Sequence, residues 1–202
     1  QFFNYPDQNN VYKVEFNYFT QLKKAYDESY WLNTQNGFTI IQDEKQREIL
    51  FRDPNLPDFP EVTHFDLGNY PNIWSCSNNL LFLTTKNGSG IKRIYNCTSG
   101  SSSDLNRDIL YFRDTIYVAT ELGIERYFQG SYLEPILSNN LKGIFELCLT
   151  HYGKIYALAD DGIYILYNNS LKKLYHKNMN LSRYNYNMIK SDLKHNLWIS
   201  LK

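Results

Sequence analysis

The residues of this 202-residue chain best suited to chemistry are four histidines, three cysteines and an Asp160-Asp161-Gly162 run. His64, His151, His176 and His195 are scattered, without the short spacings that bring ligands around one metal ion. His151, in Thr150-His151-Tyr152-Gly153, and His195, directly before Asn196, each stand in the turn leading into an aromatic run. If those turns share one face of the fold, the pair meets there as metal ligands or as an acid and a base, which makes them the candidate ligand-binding residues. Asp160-Asp161-Gly162 has the acids of a calcium loop but not its spacing, and reads as a hairpin turn. Cys76, Cys97 and Cys148 are an odd number with no Cys-x-x-Cys, so they form neither a zinc site nor a disulfide framework. No Gly-x-Ser-x-Gly elbow occurs, and Asn87-Gly88-Ser89-Gly90 is followed by strand residues rather than by the lysine and helix of a phosphate loop. The expectation is a protein without catalytic residues, metal or cofactor.

Composition narrows the partners. Lys+Arg and Asp+Glu are 21 each, a balance that gives no electrostatic footprint for nucleic acid or anionic lipid. Apolar runs are too short to span a bilayer, and Gln1-Phe2-Phe3-Asn4-Tyr5-Pro6 lacks the charged start and apolar stretch of a signal peptide. Aromatics make up 16%, with 18 Tyr and 12 Phe, a load that favours packed strands over disorder.

The elements that must position any site repeat along the chain. Trp31-Leu32-Asn33-Thr34-Gln35-Asn36-Gly37-Phe38 returns as Tyr117-Val118-Ala119-Thr120-Glu121-Leu122-Gly123-Ile124 and as Tyr156-Ala157-Leu158-Ala159-Asp160-Asp161-Gly162-Ile163. The acids of the last copy are Gln35-Asn36 and Glu121-Leu122 in the others, so they are not part of the repeat. With Trp74 and Trp198 the anchors fall at 31, 74, 117, 156 and 198, spaced by 43, 43, 39 and 42. A rival register anchors the second unit on Phe82, at less even spacings. Each unit holds four short apolar runs broken by tight turns, which is the content of a four-stranded propeller blade rather than of a helical repeat. The glycines Gly37, Gly123 and Gly162 supply the positive φ of the hairpin turn after the anchor strand. The anchors themselves, identical in position from unit to unit, are expected to pack between blades rather than to stack on sugars.

These units predict an all-β, four-stranded antiparallel β-propeller in a single partial domain over 1–202. Its blades lie near 18–51, 61–95, 107–137 and 142–176, with a fifth, incomplete, at 185–202. The first strand of each unit is the most continuously apolar and is assigned to the inner position, covered on both faces. Val11 to Phe16 alternates as one further strand, and the polar 96–106 stretch is a linker. Four and a half blades leave an edge exposed, so the expected partners include further propeller blades or a second subunit.

Tyr186-Asn187-Met188-Ile189-Lys190-Ser191-Asp192-Leu193-Lys194-His195-Asn196-Leu197-Trp198-Ile199-Ser200 resembles the repeat of two-component regulator propellers. That repeat runs as an apolar strand, an Asp-containing turn, then Asn-Leu-Trp-Ile-Gly-Thr. Ser200 and Leu201 stand here for its Gly and Thr, and Tyr117 and Tyr156 for its Trp. The resemblance implies the periplasmic sensor portion of a membrane-bound hybrid regulator of the Bacteroidetes type, responding to an oligosaccharide and making no membrane contact itself. The rival readings are a carbohydrate-active lyase on the same scaffold and a plain protein-interaction scaffold. An enzyme would show carboxylates or histidines converging on one end of the ring, and the sequence gives no sign of them.

Overall fold

In the computed structural model, the described residues are 21–34, 37–50, 62–68, 70–77, 80–86, 93–96, 107–129, 131–137, 143–174, 186–194 and 196–201. Val11 to Phe16, residues 87–90 and 97–106, His176 and His195 lie outside them. All regular structure within the described residues is β-strand. The first sheet holds β1 (Leu22–Lys24), β2 (Tyr30–Thr34), β3 (Gly37–Gln42) and β4 (Lys45–Leu50). The second holds β5 (His64–Asp66), β6 (Asn72–Ser77), β7 (Leu80–Thr85) and β8 (Arg93–Asn96). The third holds β9 (Asp108–Phe112), β10 (Thr115–Ala119), β11 (Gly123–Phe128) and β12 (Ser131–Leu137). The fourth holds β13 (Ile144–Leu149), β14 (Ile155–Ala159), β15 (Gly162–Tyr167) and β16 (Ser170–Lys173), and β17 (Tyr186–Ser191) pairs with β18 (Leu197–Leu201). Every sheet is an antiparallel meander in chain order.

Apolar clusters between successive sheets stack them radially. Trp31, Phe38, Ile40 and Ile49 of the first sheet meet Phe65, Ile73 and Phe82 of the second. Trp74, Cys76 and Leu81 meet Ile109, Ile116, Val118 and Tyr127 of the third. Ala119, Ile124 and Ile136 meet Ile144, Leu147 and Ala157, and Cys148, Leu158 and Ile163 meet Ile189 of the fifth. Edge-to-face contacts of Phe38 with Trp31 (5.5 Å) and Phe65 (5.1 Å) add about 0.5–1.5 kcal/mol each beyond the buried area. The strands β5, β9, β13 and β17 pack on one another in succession, which puts the first strand of each sheet innermost. The molecule is a β-propeller built of these blades.

Trp74 lies in the second strand of its blade opposite Asp66, just as Trp31 lies opposite Lys23 and Trp198 opposite Lys190. Phe82 belongs to the third strand. Trp31 and Trp74 are buried and Tyr117 and Tyr156 are partly so, whereas Trp198 is 62% exposed, on a face of the fifth blade that also shows Met188. Gly37 and Gly123 open the third strand at φ 150° and 147°, and their role differs from the turn assigned above. A Cβ would come 1.9 Å from the Ile49 carbonyl oxygen at Gly37 and 2.2 Å from that of Ile136 at Gly123, so the glycines admit the fourth strand.

The inner strands are not the continuously apolar ones. They carry Asp66, Asp108 and Glu146, and the second and third strands are the more evenly buried. The reason is the free edge of the inner strand, whose N–H groups have no further strand to pair with and must find another acceptor. The preceding blade supplies it. The Gln21 Oε1 accepts from Phe65 N (3.0 Å), the Asp66 Oδ2 from Tyr111 N (2.5 Å), the Asp108 Oδ2 from Leu147 N (2.8 Å) and the Glu146 Oε2 from Ile189 N (2.6 Å). Asp108 also holds its neighbour's amide, Ile109 N, at 2.8 Å through Oδ1. Replacing Asp108 by Ala leaves two buried amides without acceptors, at about 1–3 kcal/mol each, so Asp108→Ala is expected to cost roughly 2–6 kcal/mol and Asp108→Asn about half as much. Urea unfolding of the two variants beside the wild type measures this, and equal midpoints for all three would refute it.

Candidate functional site

The turns from first to second strand all emerge at one end of the ring, because each first strand runs the same way. In blade 1 the turn 25–29 is closed by Ala25 N donating to Ser29 O (2.8 Å), with Glu28 at φ 63°. In blade 2 Tyr70 N donates to Leu67 O (3.0 Å), and in blade 3 Arg113 and Asp114 take φ 49° and 59°, the two-residue turn that matches strand twist. Blade 4 contributes Thr150 to Lys154, clasped by Thr150 N to Lys154 O (2.9 Å) and Lys154 N to Thr150 Oγ1 (3.1 Å). In blade 5 Asp192 closes the turn. Its Oδ1 accepts from the amides of Lys194 (2.8 Å) and Asn196 (2.9 Å), and its Oδ2 from Asn196 Nδ2 (2.8 Å) and Trp198 Nε1 (3.0 Å). The side-chain bonds from Asn196 and Trp198 hold the Asp192 carboxyl at about 2. The Asp-turn and Asn-Leu-Trp of the repeat are thus one hydrogen-bonded unit that fixes a hairpin.

This end carries the described polar sites. His151 is exposed there beside Tyr152, ring centroids 6.0 Å apart, and His195 lies outside the described residues. Between the turns of blades 1 and 2 opens a cavity of about 510 Å³ lined by Lys23, Lys24, Tyr26, Glu28, Asp66 and Gly68. Its charges come in pairs, Lys24 with Glu28, and Lys23 with Asp66 at 3.6 Å. Tyr26 is 86% exposed at its rim, and the Lys23 ammonium sits 5.6 Å over the Phe65 ring.

The rim is braced by a network centred on Asp27. Its Oδ1 accepts from the Ser29 hydroxyl (2.5 Å), which in turn accepts from Trp31 Nε1 (3.0 Å). Its Oδ2 accepts from Tyr70 OH (2.5 Å) and from the Lys86 ammonium, which also donates to Gln42 Oε1 (3.2 Å). Blade 2 is tied to blade 1 through one carboxylate. Burial alone would push the Asp27 carboxyl up; the bonds from Lys86, Ser29 and Tyr70 outweigh it and hold it well below the usual range.

Behind the cavity, titratable groups from the inner strands converge. His64 feels the charge of Lys23, Asp108 and Lys190, and Glu146 pairs with Lys190 at 2.6 Å. A polar residue recurring in otherwise apolar first strands, at Gln21, His64, Asp108 and Glu146, is the sequence signature of this convergence. No group of three or more His, Cys, Asp or Glu among the described residues is arranged to hold a metal ion. Asp160-Asp161-Gly162 sits in the turn at the opposite end, where the Asp161 Oδ2 accepts from Tyr164 OH (2.7 Å) and Lys173 Nζ (2.6 Å).

Among solved structures the chain is similar to virginiamycin B lyase from Staphylococcus aureus, at 14% identity and a TM-score of 0.68, over 89% of this chain and 61% of that one. A catalytically inactive histidine-to-alanine form of that lyase with quinupristin matches at 16% and 0.69, over 91% and 62%. The extracellular domain of the hybrid two-component system BT3049 from B. thetaiotaomicron matches at 15% and 0.66, over 92% of this chain and 28% of that one. The chain therefore spans about three fifths of the lyase and just over a quarter of the sensor domain. These likenesses share the propeller fold. No protein-family model matches the chain, and no curated protein matches it in sequence.

Because the folded Asp27 is more acidic than an unfolded carboxylate of about 3.9, its ionised form stabilises the fold above that pH, and the contribution is lost as pH falls below it. The melting-temperature gap between wild type and Asp27→Asn is expected to stay constant from pH 7 to 5 and to close below about pH 4. A gap unchanged at about pH 2.5 would show that the carboxylate's charge contributes nothing.

Proposed function

We propose that this chain is an extracytoplasmic ligand-recognition segment of a two-component regulator and that its ligand is an oligosaccharide. The observation that carries the reading is the cavity between the turns of blades 1 and 2, lined by two Lys–carboxylate pairs and by the exposed Tyr26. A charge-balanced set of hydrogen-bonding groups beside an aromatic face suits a hydroxyl-rich molecule with apolar ring faces. The resemblance of the Asp192–Trp198 repeat to regulator propellers, and the likeness to an extracellular sensor domain, support the same assignment.

The carboxylates of the channel favour recognition over catalysis. Asp66, Asp108 and Glu146 each accept from backbone amides, and Glu146 also from Lys190, which ties them to the structure of the inner strands. Signalling then follows from differential affinity. A saccharide that binds more tightly when the mouth is closed against a further propeller blade or a second subunit shifts that equilibrium toward the closed form.

Thermal melts against a panel of neutral and acidic oligosaccharides test the assignment. At a hundred times its dissociation constant a ligand adds about 2.7 kcal/mol, a shift of several degrees, and Tyr26→Ala is expected to abolish it. A panel in which no saccharide shifts the wild type, with consumption of quinupristin by the same protein, would replace the sensor reading with the lyase one.

A further inference from the structure

One chemical arrangement occurs twice among the described residues, and the two copies differ in what they join. In blade 4 the Asp161 Oδ2 accepts from Tyr164 OH (2.7 Å) and Lys173 Nζ (2.6 Å), and the ammonium lies 5.6 Å over the Tyr164 ring. All three residues belong to one blade, where they brace a single hairpin. In the second copy the Asp27 Oδ2 accepts from Tyr70 OH (2.5 Å) and from the Lys86 ammonium, again 5.6 Å over the tyrosine ring. Here the aspartate stands in the first turn of blade 1, and both donors come from blade 2. Burial first, and then the bond to Asp27, push the Tyr70 phenol above its ordinary value, so the hydroxyl stays a donor at neutral pH.

The cavity opens between the same two segments. Lys23, Lys24, Tyr26 and Glu28 form its blade 1 wall, and Asp66 and Gly68 its blade 2 wall; neither Asp27 nor Tyr70 lines it. Asp27 stands between Tyr26 and Glu28 in a turn closed by Ala25 N on Ser29 O (2.8 Å) and Glu28 N on Ala25 O (3.2 Å), so a movement of its backbone carries that wall with it. Tyr70 is tied to the other wall by its own amide, which donates to Leu67 O (3.0 Å). That wall is seated on blade 3: the Asp66 Oδ2 accepts from Tyr111 N (2.5 Å), and a Cβ on Gly68 would come 2.8 Å from the Tyr111 carbonyl oxygen. Across the opening itself Lys23 Nζ and Asp66 Oδ1 are 3.6 Å apart, too far for a hydrogen bond. Each wall is stiff within itself, and the Tyr70–Asp27 bond joins the two. Resting on the saccharide reading above, we infer that Tyr70 and Asp27 are positioning residues for that ligand, holding the two walls at the spacing the sugar fills without touching it. Without the bond the turn 25–29 samples other positions against blade 2, and only the fraction of molecules with correctly spaced walls binds.

The test pairs two substitutions that make the same chemical change. Tyr70→Phe and Tyr164→Phe each remove one hydroxyl from an aspartate that keeps its lysine, and each leaves the ring in place. Wild type and both variants are melted without ligand and titrated calorimetrically with maltotriose, cellotriose, chitotriose and tri-galacturonate. The two variants are expected to melt alike, each about 2–4 °C below the wild type. Tyr70→Phe should bind the saccharide that the wild type takes at least about fivefold more weakly, whereas Tyr164→Phe should match the wild type. Wild-type affinity in Tyr70→Phe confines the second trio to bracing the fold and overturns the proposal, leaving the saccharide reading in place. An equal loss in both variants traces the effect to general loosening and overturns it likewise. If none of the four saccharides binds the wild type, the reading beneath the proposal falls and the proposal falls with it.

Discussion

An inner strand of a propeller has one edge paired and one edge facing the axis, and the amides of the free edge set the terms for the rest of this molecule. Left to water in a narrow channel they would be poorly satisfied; left unpaired they would cost more than a single packing contact returns. The solution is a side-chain oxygen from the blade before, repeated at Gln21, Asp66, Asp108 and Glu146. The bond does two things at once. It satisfies the edge, and it fixes the rotation of each blade on its neighbour, which the apolar clusters alone, being non-directional, would leave loose.

Because each bond and each cluster joins only adjacent blades, stability here is a sum of blade terms and nearest-neighbour interfaces. The carboxylates make those interfaces specific as well as adhesive. A blade shifted by one residue would bury Asp108 without its amides, and a buried carboxylate without partners is far costlier than a misplaced leucine. Glu125, 2% exposed, is held by Tyr127 OH on Oε2 (2.7 Å), while its Oε1 is buried without a partner among the described residues.

The repeat made the blades readable. Period, turn spacing and the aromatic anchors lead from Trp31, Trp74, Tyr117, Tyr156 and Trp198 to the second strand of each sheet, since those residues answer to local patterning. The polarity of the inner strand was not foreseen, because its cause lies about 43 residues away, in the amide it must cap. Gly37 and Gly123 show the same limit. Their place was legible, but the crowding by Ile49 O and Ile136 O that requires them depends on how closely the fourth strand approaches. The cavity at the mouth joins Lys23 and Tyr26 to Asp66 and Gly68 across two blades, and no spacing rule within one repeat could have paired them.

In a structure this regular, departures from the repeat are informative because regularity supplies the control. Trp31 is buried in the cluster between blades 1 and 2, whereas Trp198, with its Nε1 held by Asp192, has its ring exposed. The difference lies in the packing around the ring, since Trp198 keeps its local bond to Asp192. His64 is the opposite case. It stands at the register position of Gln21, Asp108 and Glu146, but the amide it would cap, Ile109 N, is taken by Asp108 Oδ1, and Asp66 caps Tyr111 N two residues on. A side chain that leaves the register is offset locally, here by Asp108 and Asp66, so the interface between blades 2 and 3 keeps its directional bonds.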